Sequence, residues 1–243
     1  MRVLALDAAT EACSVALWLN GEVTVRSIES GRSSSQQILT LVEELTAAGQ
    51  VSLSTLDGIA ASIGPGAFTG VRISVAVAQG LAFGLSIPVV PVTTLEALAL
   101  QVLHNPEDPR ASPEDPTAAH RAIACLDARM GEVYWGCFTA DAVQGLVESG
   151  APRVGPPTAV ASSVGGRHRG IGRGFSAYPE LTQIPGVDIT ARDSLALPNA
   201  REFAQLGALR LARGGGIDPA DLKPLYLRDK VALTEAERTG RVP

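Results

Sequence analysis

The sequence predicts an α/β protein made of two related halves. Over the first hundred residues, apolar runs of strand length alternate with stretches of helical period in the order βββαβαβα. An apolar strand that ends in aspartate and returns through a hairpin occurs twice. Leu4-Ala5-Leu6-Asp7-Ala8 leads through a turn to Ser14-Val15-Ala16-Leu17-Trp18, and Ala124-Cys125-Leu126-Asp127-Ala128 leads to Glu132-Val133-Tyr134-Trp135. Between the two halves, residues 104–120 place Pro106, Pro109, Pro113 and Pro116 among acidic residues, the composition of a solvated linker. The expected division is 1–103, linker 104–120, 121–225 and a tail from 226 to 243. Each half is of βββαβα type, and the paired hairpins would face a cleft between them.

Each element has a local cause. Arg2 to Leu6 is a short buried strand, Ser14 to Leu19 the second, and Asn20-Gly21 a strong hairpin turn into the third, Glu22 to Ile28. Ser33 or Ser34, with Gln36 or Gln37 three residues on, has capping-box spacing for a helix that Gly49 ends. Its core face is Ile38, Leu41, Val42 and Leu45, and Leu39 lies off that face. Leu56 to Ile63 is a strand, Pro88 to Val92 another, and Thr93 with Glu96 caps a helix to about Leu103. In the second half, Ala122 to Leu126 and Glu132 to Phe138 are strands. Thr158 to Val164 reads as a short helix, and Gly165 to Gly174 as a basic loop containing Arg167, His168, Arg169 and Arg173. Pro198 to Arg213 is a helix ended by Gly214 to Gly216, and Asp218 to Asp229 a short extension.

The chain is organised around Gly64-Pro65-Gly66-Ala67-Phe68-Thr69-Gly70-Val71-Arg72, a glycine turn between a strand and a helix, with Thr69 the expected N-cap. Two readings stand. A glycine loop opening a helix can hold an anion, or it can be a tight strand-to-helix connection. The spacing is neither a Walker loop nor a dinucleotide fingerprint. The helix that follows has no polar face from Ile73 to Leu85. Such a helix is covered all round, and the run is shorter than the roughly 20 residues of a transmembrane span. Ser74, Ala78 and Ala82 form one smooth stripe and Gly80 with Gly84 another, so a second helix could approach closely. The expected partner surface is Leu39, Val42, Val71, Ser74, Val75, Ala78 and Ala82.

Composition narrows the function. A core is readily built from 243 residues with 46% apolar and 19% charged. A net charge of −5 without a dense basic cluster argues against a chain that holds nucleic acid by itself. Three cysteines without a C-x-x-C pair argue against a disulfide framework or zinc site, and the N-terminus does not read as a signal peptide. The expected location is the cytoplasm, with no membrane partner. The histidines, His104, His120 and His168, are too scattered for a metal ligand set, and no Ser/His/Asp arrangement is legible.

Four segments together resemble the bacterial TsaB (YeaZ-like) family: Leu6 to Leu17, Gly64 to Arg72, Leu126 to Trp135, and Pro224-Leu225-Tyr226-Leu227-Arg228. They run in family order over nearly the whole chain. The resemblance implies an actin/Hsp70-like fold of two related domains. It implies a role in forming N6-threonylcarbamoyladenosine at position 37 of tRNAs that read codons starting with A. The chain would be the non-catalytic partner of TsaD, which carries the metal and active site, and would pair with it through N-terminal-domain helices. TsaE, an ATPase, joins the complex. Alone, the chain would self-associate as a homodimer, and tRNA would be met mainly through the complex.

No catalytic or metal residue and no cofactor of its own is expected, with ATP or ADP possible at the interface of the complex. The helix from Ser33 to Gly49 lacks the histidine pair that the catalytic paralogue uses. Asp7, Thr10, Gly64, Gly66 and Asp127 are the residues near any nucleotide phosphate. For Asp7, Thr10 and Asp127, ordinary turn chemistry is the competing reading. Ala8 replaces a threonine of many relatives and removes one hydroxyl. The alternative function is an ATP-dependent phosphotransferase with Asp7 or Asp127 on Mg²⁺.

Overall fold

A computed structural model describes residues 1–29, 35–103, 121–141, 145–148 and 150–228. The expected linker 104–120, the Ser33/Ser34 cap, His104, His120 and everything after 228 lie outside the described residues.

Among the described residues, eleven strands form two mixed sheets. The first contains β1 (Arg2–Asp7), β2 (Ala12–Leu19), β3 (Glu22–Glu29), β4 (Gly58–Ser62) and β5 (Val89–Val92), in the order β3-β2-β1-β4-β5. Asn20 and Gly21, both at positive φ, turn β2 into β3 as the sequence predicts. The second contains β6 (Arg121–Arg129), β7 (Glu132–Asp141), β8 (Gly145–Glu148), β9 (Arg153–Gly155), β10 (His168–Ile171) and β11 (Val187–Asp188), with β9 also pairing β7. Its order is β11-β10-β6-β7-β8. In each sheet the strand ending in aspartate pairs antiparallel with its hairpin partner on one side and parallel with a later strand on the other. The repeat seen in the sequence is therefore a repeat of topology, the two-domain actin/Hsp70-like arrangement.

Two of the residues expected to form a solvated basic loop, His168 and Arg169, belong to this second sheet. His168 and Arg169 are buried in β10, between β6 and β11. The Arg169 guanidinium donates to the Val102 carbonyl oxygen at 2.6 Å. The expected helix at Thr158–Val164 is a run of 3₁₀ turns, Pro157–Ser163.

Helices α1 (Ser35–Ala48) and α2 (Phe68–Leu85) cover the outer face of the first sheet, and the left-handed residue that ends α1 is Gln50 rather than Gly49. Helix α3 (Thr94–Leu103) packs on β6, β7 and β10 of the second sheet. Helix α5 (Ala200–Leu211), which follows the short α4 (Gly174–Ala177), packs back on β1, β2 and β4 of the first. Across the expected boundary at 104–120, each half lends the other a helix. The exchange has local causes. Ser14 Oγ on β2 accepts the Ala200 N–H at 2.9 Å. Gly207 has no side chain where a Cβ would meet the Ala60 Cβ at 2.5 Å. Between the sheets, Leu95, Leu98, Phe138 and Phe203 form one shared core.

Candidate functional site

The site is built where the glycine loop meets the two aspartate hairpins. Gly64 stands at φ +93, and its carbonyl accepts the Thr94 N–H at 2.9 Å. Thr94 Oγ1 donates to the Pro65 carbonyl, which fixes the loop to the start of α3. The capping box on α3 is reciprocal. Thr93 N–H donates to Glu96 Oε2 at 2.7 Å, and Glu96 N–H donates to Thr93 Oγ1 at 3.1 Å. Glu96 also pairs with Arg210 on α5.

The first turn of α2 lies directly against the turn after β1. A Cβ on Gly66 would fall 2.1 Å from the Ala9 carbonyl oxygen, and the Ala67 N–H donates to that oxygen at 2.7 Å. Ser74 Oγ accepts the Ala8 N–H at 2.8 Å. Helix α2 begins at Phe68 after an Ala67 N-cap that makes no side-chain hydrogen bond, so Thr69 is not the cap. The backbone of residues 8–9 packs directly on the start of the helix. Of the two readings of the glycine loop, these contacts support the tight connection.

The aspartates differ. Asp7 is fully buried, and only its Oδ1 is engaged, by the Ala9 N–H at 3.0 Å. The Ser62 hydroxyl lies beside it outside hydrogen-bonding geometry. Burial pushes the carboxyl up to about 6, which the Ala9 N–H and Ser62 offset only in part. Asp127 is half-buried at the edge of the cleft. Its Oδ1 accepts the Arg129 N–H at 2.7 Å and the Tyr178 hydroxyl at 3.2 Å, and Oδ2 pairs with Arg129 at 3.0 Å. This is the turn chemistry expected as the competing reading.

A cleft of about 190 Å³ separates the halves, lined by Thr10, Glu11, Gly66, Asp127, Arg129 and Arg173 among others. Its charges answer one another: Glu11 reaches Arg129 at 3.5 Å and Arg173 at 3.8 Å. Of the residues expected near a nucleotide phosphate, Thr10, Gly66 and Asp127 line this cleft, whereas Asp7 and Gly64 are not in its lining. Of the two aspartates offered for Mg²⁺ in the phosphotransferase reading, Asp127 lines the cleft and Asp7 does not. Among the described residues no group of three or more His, Cys, Asp and Glu side chains comes together as a metal site.

Residues 225–228 complete the site. The Leu225 N–H donates to the Ile63 carbonyl at 2.8 Å, and the Tyr226 hydroxyl accepts from Arg72 Nε at 2.7 Å. Arg228 donates to the Ala128 carbonyl at 3.1 Å and pairs with Glu132. Residues 226–228, expected as the start of a tail, form a strap from the glycine loop to the second hairpin. No local pattern marks this strap, because every partner is distant in sequence.

Relatives match over almost this whole framework. The tRNA threonylcarbamoyladenosine biosynthesis protein TsaB of Escherichia coli is 34% identical over 235 residues, covering 96% of each chain. The chain belongs to the TsaB family. The TsaB of Haemophilus influenzae is 33% identical, covering 95% of each chain. The solved structure of YeaZ from Pseudomonas aeruginosa is 38% identical, superposes with a TM-score of 0.78, and is matched over 93% of this chain and 99% of that one. The family model described as TsaD, tRNA N6-adenosine threonylcarbamoyltransferase, matches residues 27–145. The four segments that carried the resemblance include the TsaB-like turn, loop, hairpin and strap that meet around the cleft.

The burial of the residues expected as the partner surface differs from the sequence reading. Ser74, Ala78 and Ala82 are fully buried against the chain's own sheet, and Val71, Val75 and Val42 are buried with them. Of the seven expected residues only Leu39, 40% exposed, faces outward. The apolar composition of α2 would suffice to cross a membrane, but its inner face packs on the sheet. Gln79 donates to the carbonyls of Pro219 and Leu222 at 3.1 and 3.0 Å. The outward face is the other stripe, Phe68, Arg72, Ala76, Gly80 and Gly84, with Phe83 beside it at 79% exposed. A helix apolar on every side has no amphipathic signal to say which stripe turns inward.

Proposed function

We propose that this chain is a non-catalytic subunit required for threonylcarbamoyl transfer to adenosine 37 of tRNAs reading codons that start with A. It serves as a scaffold for the catalytic subunit TsaD, with the ATPase TsaE joining the pair. The observation that carries the reading is the outward face of α2. It is long, smooth and apolar, with Phe68 57% and Phe83 79% exposed, and Leu39 of α1 exposed on the neighbouring helix. Large exposed apolar side chains along one helix mark an interaction surface. The same face would pair two copies of the chain when the partner is absent.

A scaffold rather than an enzyme fits the cleft. Asp7 lies beneath it, Asp127 is held by Arg129 and Tyr178, and Glu11 bridges the two arginines. ATP or ADP is accordingly placed at the interface of the complex, and tRNA contact falls mainly to the partners, in keeping with the net charge of −5. We place the complex in the cytoplasm.

Reconstitution tests the reading. Purified TsaD, TsaE and a threonylcarbamoyl donor are mixed with a substrate tRNA, with and without this chain, and modified adenosine is measured. Transfer should require the chain, and light scattering after size exclusion should show a heterodimer with TsaD replacing a self-associated form. Transfer at full rate without the chain would overturn the proposal.

A further inference from the structure

We infer that Arg72 is the polar anchor of the α2 face: a preorganised guanidinium that takes a carboxylate of the partner subunit in a bidentate pair and fixes the register of an otherwise smooth helix contact. The inference rests on the scaffold reading above.

Three observations carry it. First, Arg72 is held in place from two sides. Its guanidinium carbon lies 3.6 Å over the centre of the Phe68 ring and 5.7 Å from that of Tyr226. Its Nε donates to the Tyr226 hydroxyl at 2.7 Å. The two rings lie 6.0 Å apart. A long flexible side chain on the surface ordinarily loses rotamer freedom when it binds; here stacking and the hydroxyl have already removed much of that freedom. Second, its charge is unanswered. The motif arginines around it are neutralised: Arg129 by Asp127 and Glu11, Arg173 by Glu11, Arg228 by Glu132. Among the described residues no carboxylate pairs with Arg72, and no hydrogen bond takes up Nη1 or Nη2. The free edge of the guanidinium is the edge whose geometry matches a carboxylate. Third, its position continues the proposed contact. Phe68, Arg72, Ala76 and Gly80 follow one another at four-residue spacing along the exposed side of α2.

An apolar stripe of small residues lets two helices slide by a turn at little cost. One buried charge pair forbids the slide, because the shifted register leaves an unpaired charge at the interface. Protein carboxylate is favoured over nucleic-acid phosphate by the company Arg72 keeps. Exposed phenylalanine and tyrosine (Phe68 and Tyr226) are residue types enriched with arginine at protein interfaces, and the chain is acidic overall.

The test is calorimetric titration of TsaD into the full chain at two salt concentrations, with melting temperature measured for every variant. Arg72→Gln and Arg72→Lys should each weaken binding by roughly tenfold or more, because lysine keeps the charge and loses the fork. Tyr226→Phe should weaken it several-fold. All three should melt like the parent, since these side chains are exposed. Phe83→Asp serves as the control for the α2 face. If it abolishes binding while Arg72→Gln binds within twofold of the parent, the anchor is overturned and the scaffold reading stands. If Arg72→Lys alone keeps parental affinity, the bidentate pair is overturned. If Phe83→Asp and Arg72→Gln both bind like the parent, the α2 face itself is not the interface, and both proposals fall. If tRNA titrated onto the isolated chain is what Arg72→Gln weakens, with TsaD binding unchanged, Arg72 reads phosphate and the inference is overturned.

Discussion

A Cβ placed on Gly70 would lie 1.9 Å from the carbonyl oxygen of Ala8. No side chain fits between the first turn of α2 and the turn that follows β1. Gly70→Ala should therefore push helix from sheet and lower stability by about 3 kcal/mol or more, with Gly66→Ala close behind. Gly80→Ala and Gly84→Ala are the contrast. A Cβ at either position meets nothing within 4 Å, so each should raise stability by about 0.5–1 kcal/mol through helix propensity. Thermal melts of the four variants check both halves of the prediction.

The two stripes of α2 separate folding from pairing. Ala78→Asp places a carboxylate in the chain's own core, so it should abolish folding and yield insoluble protein. Phe83→Asp should leave the melting temperature within a few degrees and convert a self-associated chain to monomer. Light scattering at matched concentration distinguishes these outcomes, and a monomeric, well-folded Ala78→Asp variant would contradict the packing described.

Asp7 should make stability fall with rising pH. Its folded value, about 6, lies above the usual 3.8, so the native state holds the proton more tightly than the unfolded chain. The native state then gains most below about pH 4, and the gain is lost as pH rises towards 6, leaving a buried charge that costs about 3 kcal/mol at neutral pH. Asp7→Asn should stabilise the protein by up to that amount at pH 7 and by little near pH 4, with the new amide reaching the unengaged Ser62 hydroxyl. Denaturant titrations of parent and variant from pH 4 to 8 measure the difference. Glu202, pushed up to about 7 by burial at the start of α5, has the same sign, with its window between about pH 4.5 and 7.

The terminal strap should bind the halves together modestly. Arg228→Ala removes the contacts to Ala128 and Glu132. Both side chains of that pair are partly exposed, so the loss should be about 1 kcal/mol. Hydrogen exchange should rise at the 128–132 hairpin and around Ile63 before it rises in β1 or β4. Unchanged protection there would remove the strap from the account.

The elements with local causes were legible in the sequence. Asn20-Gly21 turns a hairpin because those residues tolerate positive φ, and Thr93 and Glu96 cap a helix because their side chains reach each other's backbone. The repeated strand-and-aspartate hairpin foretold one strand order used twice, and the strap's Tyr226 and Arg228 were visible as a motif without a place. Tertiary structure alone decided the rest. Helix α2 is apolar on every side, so only the shape of the sheet beneath it chose the Ser74–Ala78–Ala82 stripe for burial and left the Phe68–Arg72–Gly80 stripe outside. Helix α5 changes halves because Ser14 and Ala60 present a hydrogen-bond acceptor and a flat surface to Ala200 and Gly207, residues far along the chain. Asp7 and Asp127 occupy equivalent places in the sequence pattern, yet one is sealed beneath the Ala8–Ala9 turn and the other lines the cleft beside Arg129. That difference arises from what packs above each strand end, which spacing along a chain does not encode.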